Sequence, residues 1–181
     1  SPEGTDVLEY IYQDWIPSRA ANTFAQQIVA QTVAAQDRHR PLRILEIGAG
    51  TGATTGYVLP MLPSDRCEYW FTDVSPYFLA RAEDKFRRYD CLKYCRLDVE
   101  EDFAEQGIPA GTFDIVIAAL VLHATRDVCA TMRRCRDALV DGGLLIATEI
   151  SVVMPAIDFA FGLIDGWWNY VEDPARGGSL S

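Results

Sequence analysis

An apolar run from Leu42 to Ile47 closes on Leu45-Glu46-Ile47-Gly48-Ala49-Gly50-Thr51-Gly52, and a helical stretch from Thr54 to Leu62 follows, stopping near Pro63. A strand that ends in alternating glycines and resumes as a helix is strongly constrained. Its backbone turns sharply and can approach a ligand with no Cβ in the way. The chain then repeats the alternation. Tyr69 to Thr72 is apolar and ends at Asp73, and Pro76 suits the first turn of a helix to Tyr89 with Phe78, Leu79, Ala82 and Phe86 on one face. Tyr94 to Leu97 and Phe113 to Leu120 read as strands, Val128 to Leu139 as a helix ended by Asp141-Gly142-Gly143, and Leu144 to Ile150 as a last strand. The pattern predicts an α/β chain with a Rossmann-like, doubly wound, mostly parallel sheet. Right-handed crossovers then bring the strand C-termini to one edge, where ligands bind.

The 181 residues, 49% of them hydrophobic, suit one domain with a substantial core. Residues 42–150 form its core and residues 1–41 a helical segment, with Asp6 to Gln36 interrupted at Pro17. Leu8, Ile11, Tyr12 and Trp15 share one face of the first piece; Phe24, Ile28 and Val33 are expected to share one face of the second. Residues 151–181 form a partial lid, with Phe159, Phe161, Trp167 and Trp168 in an apolar stretch from Pro155 to Tyr170. Too few residues follow Ile150 for the further strand pair common in such sheets, so that pair is expected to be absent from this chain. Ser1-Pro2-Glu3-Gly4 has no initiator Met and no signal-peptide pattern, as in a piece of a longer protein.

Twenty-six acids against 16 bases, a net charge of -10, argue against a nucleic-acid partner. No apolar run approaches the roughly 20 residues of a membrane span. Five cysteines make an odd count, and Cys91 and Cys95 lack a second pair at zinc-site spacing. They read as thiols in a reducing cytoplasm, and no metal is expected. His39, in the polar stretch Asp37-Arg38-His39-Arg40, has no evident role.

Several ligands use glycine-rich loops. The spacing Gly48-x-Gly50-x-Gly52 is neither the Gly-x-Gly-x-x-Gly of dinucleotide sites nor a P-loop. Glu46, inside the motif, would repel a pyrophosphate, yet it can hold the cationic end of S-adenosylmethionine directly or through water. Asp73 ends the next strand and offers two acceptor oxygens to a ribose; as a helix cap it would be redundant with Ser75. Asp98, in Leu97-Asp98-Val99, supplies a carboxylate and a backbone amide for an adenine. The expected cofactor contacts are Glu46, Gly48, Ala49, Gly50 and Gly52 from the loop. Asp73, Val74, Asp98, Val99 and Ala118 complete the set from later strands.

The chain resembles the C-methyltransferase domains of polyketide synthases, within the class I S-adenosylmethionine-dependent superfamily. The similarity is carried by Asp14-Trp15-Ile16-Pro17-Ser18-Arg19-Ala20-Ala21-Asn22-Thr23-Phe24, the run Ile44 to Leu62, and Phe71-Thr72-Asp73-Val74-Ser75. Leu122-His123-Ala124-Thr125-Arg126-Asp127 and Phe161-Gly162-Leu163-Ile164-Asp165-Gly166-Trp167-Trp168 are its more particular segments. The resemblance implies a His–Glu pair, here His123 and Glu149, that acts on a β-ketoacyl thioester carried by an acyl carrier protein, beside other synthase domains. An imidazole titrates near neutrality and suits removal of a proton acidified by two carbonyls. A carboxylate on its other nitrogen fixes the tautomer.

The resemblance also implies an N-terminal tyrosine near the substrate carbonyl, assigned to Tyr10, with Tyr12 left to packing. Trp167 and Trp168 are candidates for an acyl channel or a lid anchor. Arg126, Arg133, Arg134 and Arg136 make a local basic patch that either docks an acidic carrier protein or is a solvated face. Oxygen or nitrogen methylation, a silent structural domain and a nicotinamide-dependent reductase are the competing readings.

Overall fold

The structure is a computed structural model that describes residues 12–13, 15–37 and 39–149. A long helix, α1 (Ile16–Ala35), precedes β1 (Leu42–Ile47), the short α2 (Ala53–Val58) with a 3₁₀ turn at Leu59–Met61, and β2 (Cys67–Asp73). Then come α3 (Pro76–Lys85), β3 (Leu92–Arg96), β4 (Phe113–Ala119), a 3₁₀ turn at Leu122–Ala124, α4 (Val128–Ala138) and β5 (Leu139–Thr148). The strands form one sheet in the order β3-β2-β1-β4-β5, and every neighbouring pair is parallel. The doubly wound sheet expected from the alternation is present. Because β1 lies between β2 and β4, the chain leaves it in one direction and returns on its other side, and the ends of β1 and β4 flank the crevice.

Alternate residues of the central strands feed two cores. Ile44, Tyr69, Phe71, Ile115 and Ile117 pack with Ala25, Val29 and Phe86 on one face. Leu45, Ile47, Val116 and Ala118 pack with Leu97, Phe103, Leu122, Cys135 and Ala138 on the other. No helix among the described residues is long and apolar enough to cross a membrane.

Two expectations change. The buried face of α1 is Ser18, Asn22, Ala25 and Val29, whereas Phe24 is 56% exposed. A buried hydrogen bond decides this orientation: the Thr54 hydroxyl donates to Asn22 Oδ1 at 2.7 Å, and Asn22 Nδ2 donates to the Tyr12 carbonyl at 3.0 Å. Turning Phe24 inward would strand the Asn22 amide and the Thr54 hydroxyl, at about 1–3 kcal/mol each, which together outweigh the roughly 1.5–3 kcal/mol gained by burying one Phe. Ile28 and Val33 keep partial contact with the core.

The second change concerns Asp141-Gly142-Gly143, which does not end a helix. The helix stops at Ala138, and β5 begins at once, with Leu139 already paired to Phe113. The glycines lie inside β5 at a break in register, where β4 advances from Phe113 to Ile115 while β5 advances from Leu139 to Leu144. Such a bulge fits extra residues into a ladder without losing the pairing beyond it.

Candidate active site

The glycine loop is fastened from below. The Ala49 amide donates to the Thr72 carbonyl at 2.9 Å, the Gly50 amide to Asp73 Oδ2 at 2.9 Å, and the Gly52 amide to the Ala49 carbonyl at 2.9 Å. Lys85 Nζ reaches the Thr51 carbonyl at 3.0 Å. Phosphate-binding loops turn their amides toward the ligand; here Ala49, Gly50 and Gly52 spend theirs on the protein. Gly48, Gly50 and Gly52 all hold positive φ. A Cβ on Gly50 would meet only the Gly48 carbonyl, at 3.9 Å, so that side of the loop is open.

Glu46 stands 1% exposed beneath the loop. The Tyr69 hydroxyl donates to its Oε2 at 2.6 Å and the Thr55 hydroxyl donates to the same oxygen. Burial pushes its carboxyl up to about 7, against the pull of those two hydrogen bonds, and the charge of Asp73 adds to the rise. Burial also raises Asp73, against the amides that it accepts. Ser75 precedes α3, but its side chain makes no cap bond; its amide donates instead to Asp73 Oδ1 at 2.8 Å. Asp73 therefore does the turn-closing work expected of Ser75 and also pins Gly50. Each of its oxygens keeps a second lone pair for a ligand hydroxyl.

Beyond β3, Asp98 is half-buried, but its backbone amide is not available to a base. That amide donates to Gln106 Oε1 at 2.8 Å, and Gln106 Nε2 donates to the Asp98 carbonyl at 2.8 Å. The Asp98 carboxylate and the neighbouring Val99 amide remain the adenine candidates. Val74 is exposed just past Asp73, whereas Ala118 is fully buried between β1 and β5, one residue before the end of β4 at Ala119. Leu120 takes a φ of 55°, rare for a branched side chain, while its amide is held by the Thr148 carbonyl at 2.8 Å. This turn directs the chain into the 3₁₀ turn that carries His123.

Glu149, just past β5, meets that turn. Its Oε2 lies 2.8 Å from His123 Nδ1, and its Oε1 accepts the amides of Val121 at 3.1 Å and Leu122 at 2.7 Å. One carboxylate thus orients the imidazole and anchors the backbone in front of it. The pair is partly accessible, with side chains 29% and 25% exposed. Nδ1–H facing Glu149 puts the basic lone pair of a neutral ring on Nε2. Burial, and then the charge of Glu149, raise the Tyr12 phenol. Tyr12, assigned to packing from the sequence, is thus the described N-terminal tyrosine within electrostatic reach of the pair; Tyr10, Trp167 and Trp168 lie outside the described residues.

The arginine patch is largely committed within the fold. Arg126 pairs with Glu100, Arg136 with Asp137, and Arg134 donates to the Val99 carbonyl. Among the described residues no group of three or more His, Cys, Asp or Glu side chains could hold a metal ion.

A family model described as a methyltransferase domain matches residues 45–145. The chain is 45% identical over 179 residues to the polyketide synthase ThaG of Burkholderia thailandensis, 96% of this chain but 3% of that synthase. Among solved structures it resembles the CMeT domain of the citrinin polyketide synthase, with a TM-score of 0.89 and 32% identity over 97% of this chain and 46% of that one. It also resembles the trans-methyltransferase CalH complexed with SAH, with a TM-score of 0.73 and 39% identity over 89% of this chain and 44% of that one. The chain spans less than half the length of these relatives.

Proposed function

The chain belongs to the methyltransferase-domain family, with its class I S-adenosylmethionine-dependent fold, and from that premise we propose that it methylates carbon. The acceptor we propose is the α-carbon of a β-ketoacyl thioester carried on an acyl carrier protein, with neighbouring polyketide synthase domains supplying and receiving the chain. The observation that carries this reading is the 2.8 Å contact between His123 Nδ1 and Glu149 Oε2, on the same sheet edge as the glycine loop. Oxygen and nitrogen acceptors carry their own lone pairs; a carbon acceptor must first lose a proton. A base with a fixed tautomer serves that need.

The residues on the edge fit the cofactor. The open side of Gly50, the spare lone pairs of Asp73 and the Asp98 carboxylate offer a place for a nucleoside with a ribose diol, and the loop amides are not arranged for a diphosphate. When bound, S-adenosylmethionine supplies a methyl group on a positively charged sulfur. Asp73 would hold the ribose hydroxyls, and Asp98 with the Val99 amide the adenine. In the reaction His123 Nε2 takes the α-proton, and the pair of electrons left on the substrate becomes the nucleophilic enolate. Glu149 stabilises the resulting imidazolium and keeps the ring from turning. Alignment and exclusion of water supply most of the rest. The five free thiols suit a reducing compartment, and we place the reaction in the cytoplasm.

The test offers β-ketoacyl pantetheine and labelled S-adenosylmethionine to the wild type, His123→Ala and Glu149→Gln. Loss of the base should lower kcat by about 10²–10⁴-fold. Glu149→Gln turns an amide NH₂ toward Nδ1 and favours the wrong tautomer, so it should lose a comparable factor while staying folded. A wild type that binds cofactor but forms no carbon-linked methyl would sink the C-methylation reading. An undiminished His123→Ala would remove His123 from the base role.

A further inference from the structure

The His123 segment is held at both ends by carboxylates from different parts of the sheet. Glu149 takes the amides of Val121 and Leu122 in front of the histidine. Behind it, Glu100 Oε1 accepts the Arg126 amide at 2.6 Å, and Glu100 Oε2 accepts Arg126 Nε at 2.7 Å. Between the two anchors Thr125 is buried and its hydroxyl donates to the Leu122 carbonyl at 2.7 Å, which closes the turn on itself.

Glu100 belongs to the loop that carries the adenine candidates. Its own amide donates to Asp98 Oδ1 at 3.0 Å. The neighbouring Val99 carbonyl accepts Arg134 at 3.3 Å and the Thr131 hydroxyl at 3.4 Å, so two residues of α4 also reach this loop. We propose that Glu100 is a positioning residue for methyl transfer: its carboxylate ties the His123 segment to the Asp98–Val99 loop, so that cofactor seating and placement of the base are coupled. This inference rests on the cofactor assignment made above.

Of the two bonds that Glu100 makes, the backbone one carries the effect. Arg126 is 74% exposed, and an exposed ion pair contributes little against solvent and salt. A carboxylate on a backbone amide is a charge-assisted bond that fixes the chain directly. The variants therefore form a series. Glu100→Ala removes the anchor, Glu100→Gln keeps a carbonyl oxygen for the Arg126 amide, and Arg126→Ala removes only the side-chain half.

Two measurements test the proposal. In kinetics, Glu100→Ala should lower kcat by about ten- to a hundredfold through a misplaced base, with Glu100→Gln recovering most of it and Arg126→Ala close to wild type. In amide hydrogen exchange, SAH should slow exchange across residues 121–127 of the wild type and of Glu100→Gln, but not of Glu100→Ala. SAH-induced protection that persists in Glu100→Ala overturns the coupling, as does a kcat that falls equally in Glu100→Gln and Glu100→Ala. The exchange arm needs no turnover, so a wild type that binds SAH without methylating carbon would fail the proposed reaction and leave the coupling standing. If SAH does not bind the wild type at all, the cofactor assignment falls and the coupling falls with it.

Discussion

Glu46 and Glu149 each stand near the C-terminal end of a parallel strand, and their surroundings set them to different work. Glu149 is half-buried and meets three N–H groups, from Val121, Leu122 and His123. Glu46 is enclosed, with two hydroxyls on one oxygen and its carboxyl at about 7 against an ordinary 4.5. A raised folded value means that the folded state holds its proton to higher pH than the unfolded chain. The stability that this adds is complete below about pH 4.5 and is lost as pH rises through about 7, amounting to on the order of 3 kcal/mol. Glu46→Gln should abolish that dependence, because the amide oxygen still accepts from Tyr69 and Thr55 with no charge to bury. Thermal unfolding of both proteins from pH 5 to pH 8 checks this; parallel curves would show that Glu46 is not the titrating group. Glu46 and Asp73 were legible in the sequence as carboxylates that close apolar runs, and His123 and Glu149 were singled out as a pair by the resemblance to polyketide synthase C-methyltransferase domains. Tyr69, Thr55, Gln106 and Glu100 were not legible, because their roles depend on which distant segments the fold brings within hydrogen-bond reach.

At the scale of elements, periodicity located the strands and helices, while packing chose their faces and ends. α1 shows this in Phe24, which the apolar pattern turns inward but the Asn22–Thr54 hydrogen bond leaves outside. Asp141-Gly142-Gly143 reads equally as a helix stop or a bulge until the partner strand is known, and pairing with β4 decides for the bulge. The glycine loop reads as one unit in the sequence, yet its glycines are constrained on opposite sides. A Cβ on Gly52 would lie 2.6 Å from the Phe86 ring and 3.3 Å from Phe71, both core residues, at a φ of +72°. On Gly50 it would meet open space at a φ of +55°. Gly52→Ala should therefore cost about 2–3 kcal/mol through strain and overpacking together. Gly50→Ala should cost only about 1 kcal/mol for its backbone conformation, but its methyl points to the side proposed for the ligand and should weaken SAH binding more than it lowers stability. Urea unfolding and SAH calorimetry on both variants check the contrast, and equal losses of stability would contradict it.

Over the whole molecule, the order β3-β2-β1-β4-β5 brings two groups of residues to one edge from opposite sides of β1. Asp73 ends β2 and Asp98 follows β3, on one side of β1; His123 and Glu149 follow β4 and β5, on the other. The first group faces the proposed donor and the second the proposed acceptor, so the two should separate in a binding experiment. A ligand that binds only the folded state adds about 2.7 kcal/mol at roughly 100 times its Kd, which raises Tm by about 5–10 °C for a domain of this size. Asp73→Asn keeps one acceptor where the Ser75 and Gly50 amides need two, and loses the charge proposed to hold a ribose. SAH should therefore give it little or no rise in Tm, whatever its unliganded stability. His123→Ala should show the full wild-type rise, because its side chain lies on the acceptor side. A His123→Ala protein that lost the SAH-induced rise along with Asp73→Asn would mean that the histidine helps to hold the cofactor, and the division of the edge into donor and acceptor halves would have to be redrawn.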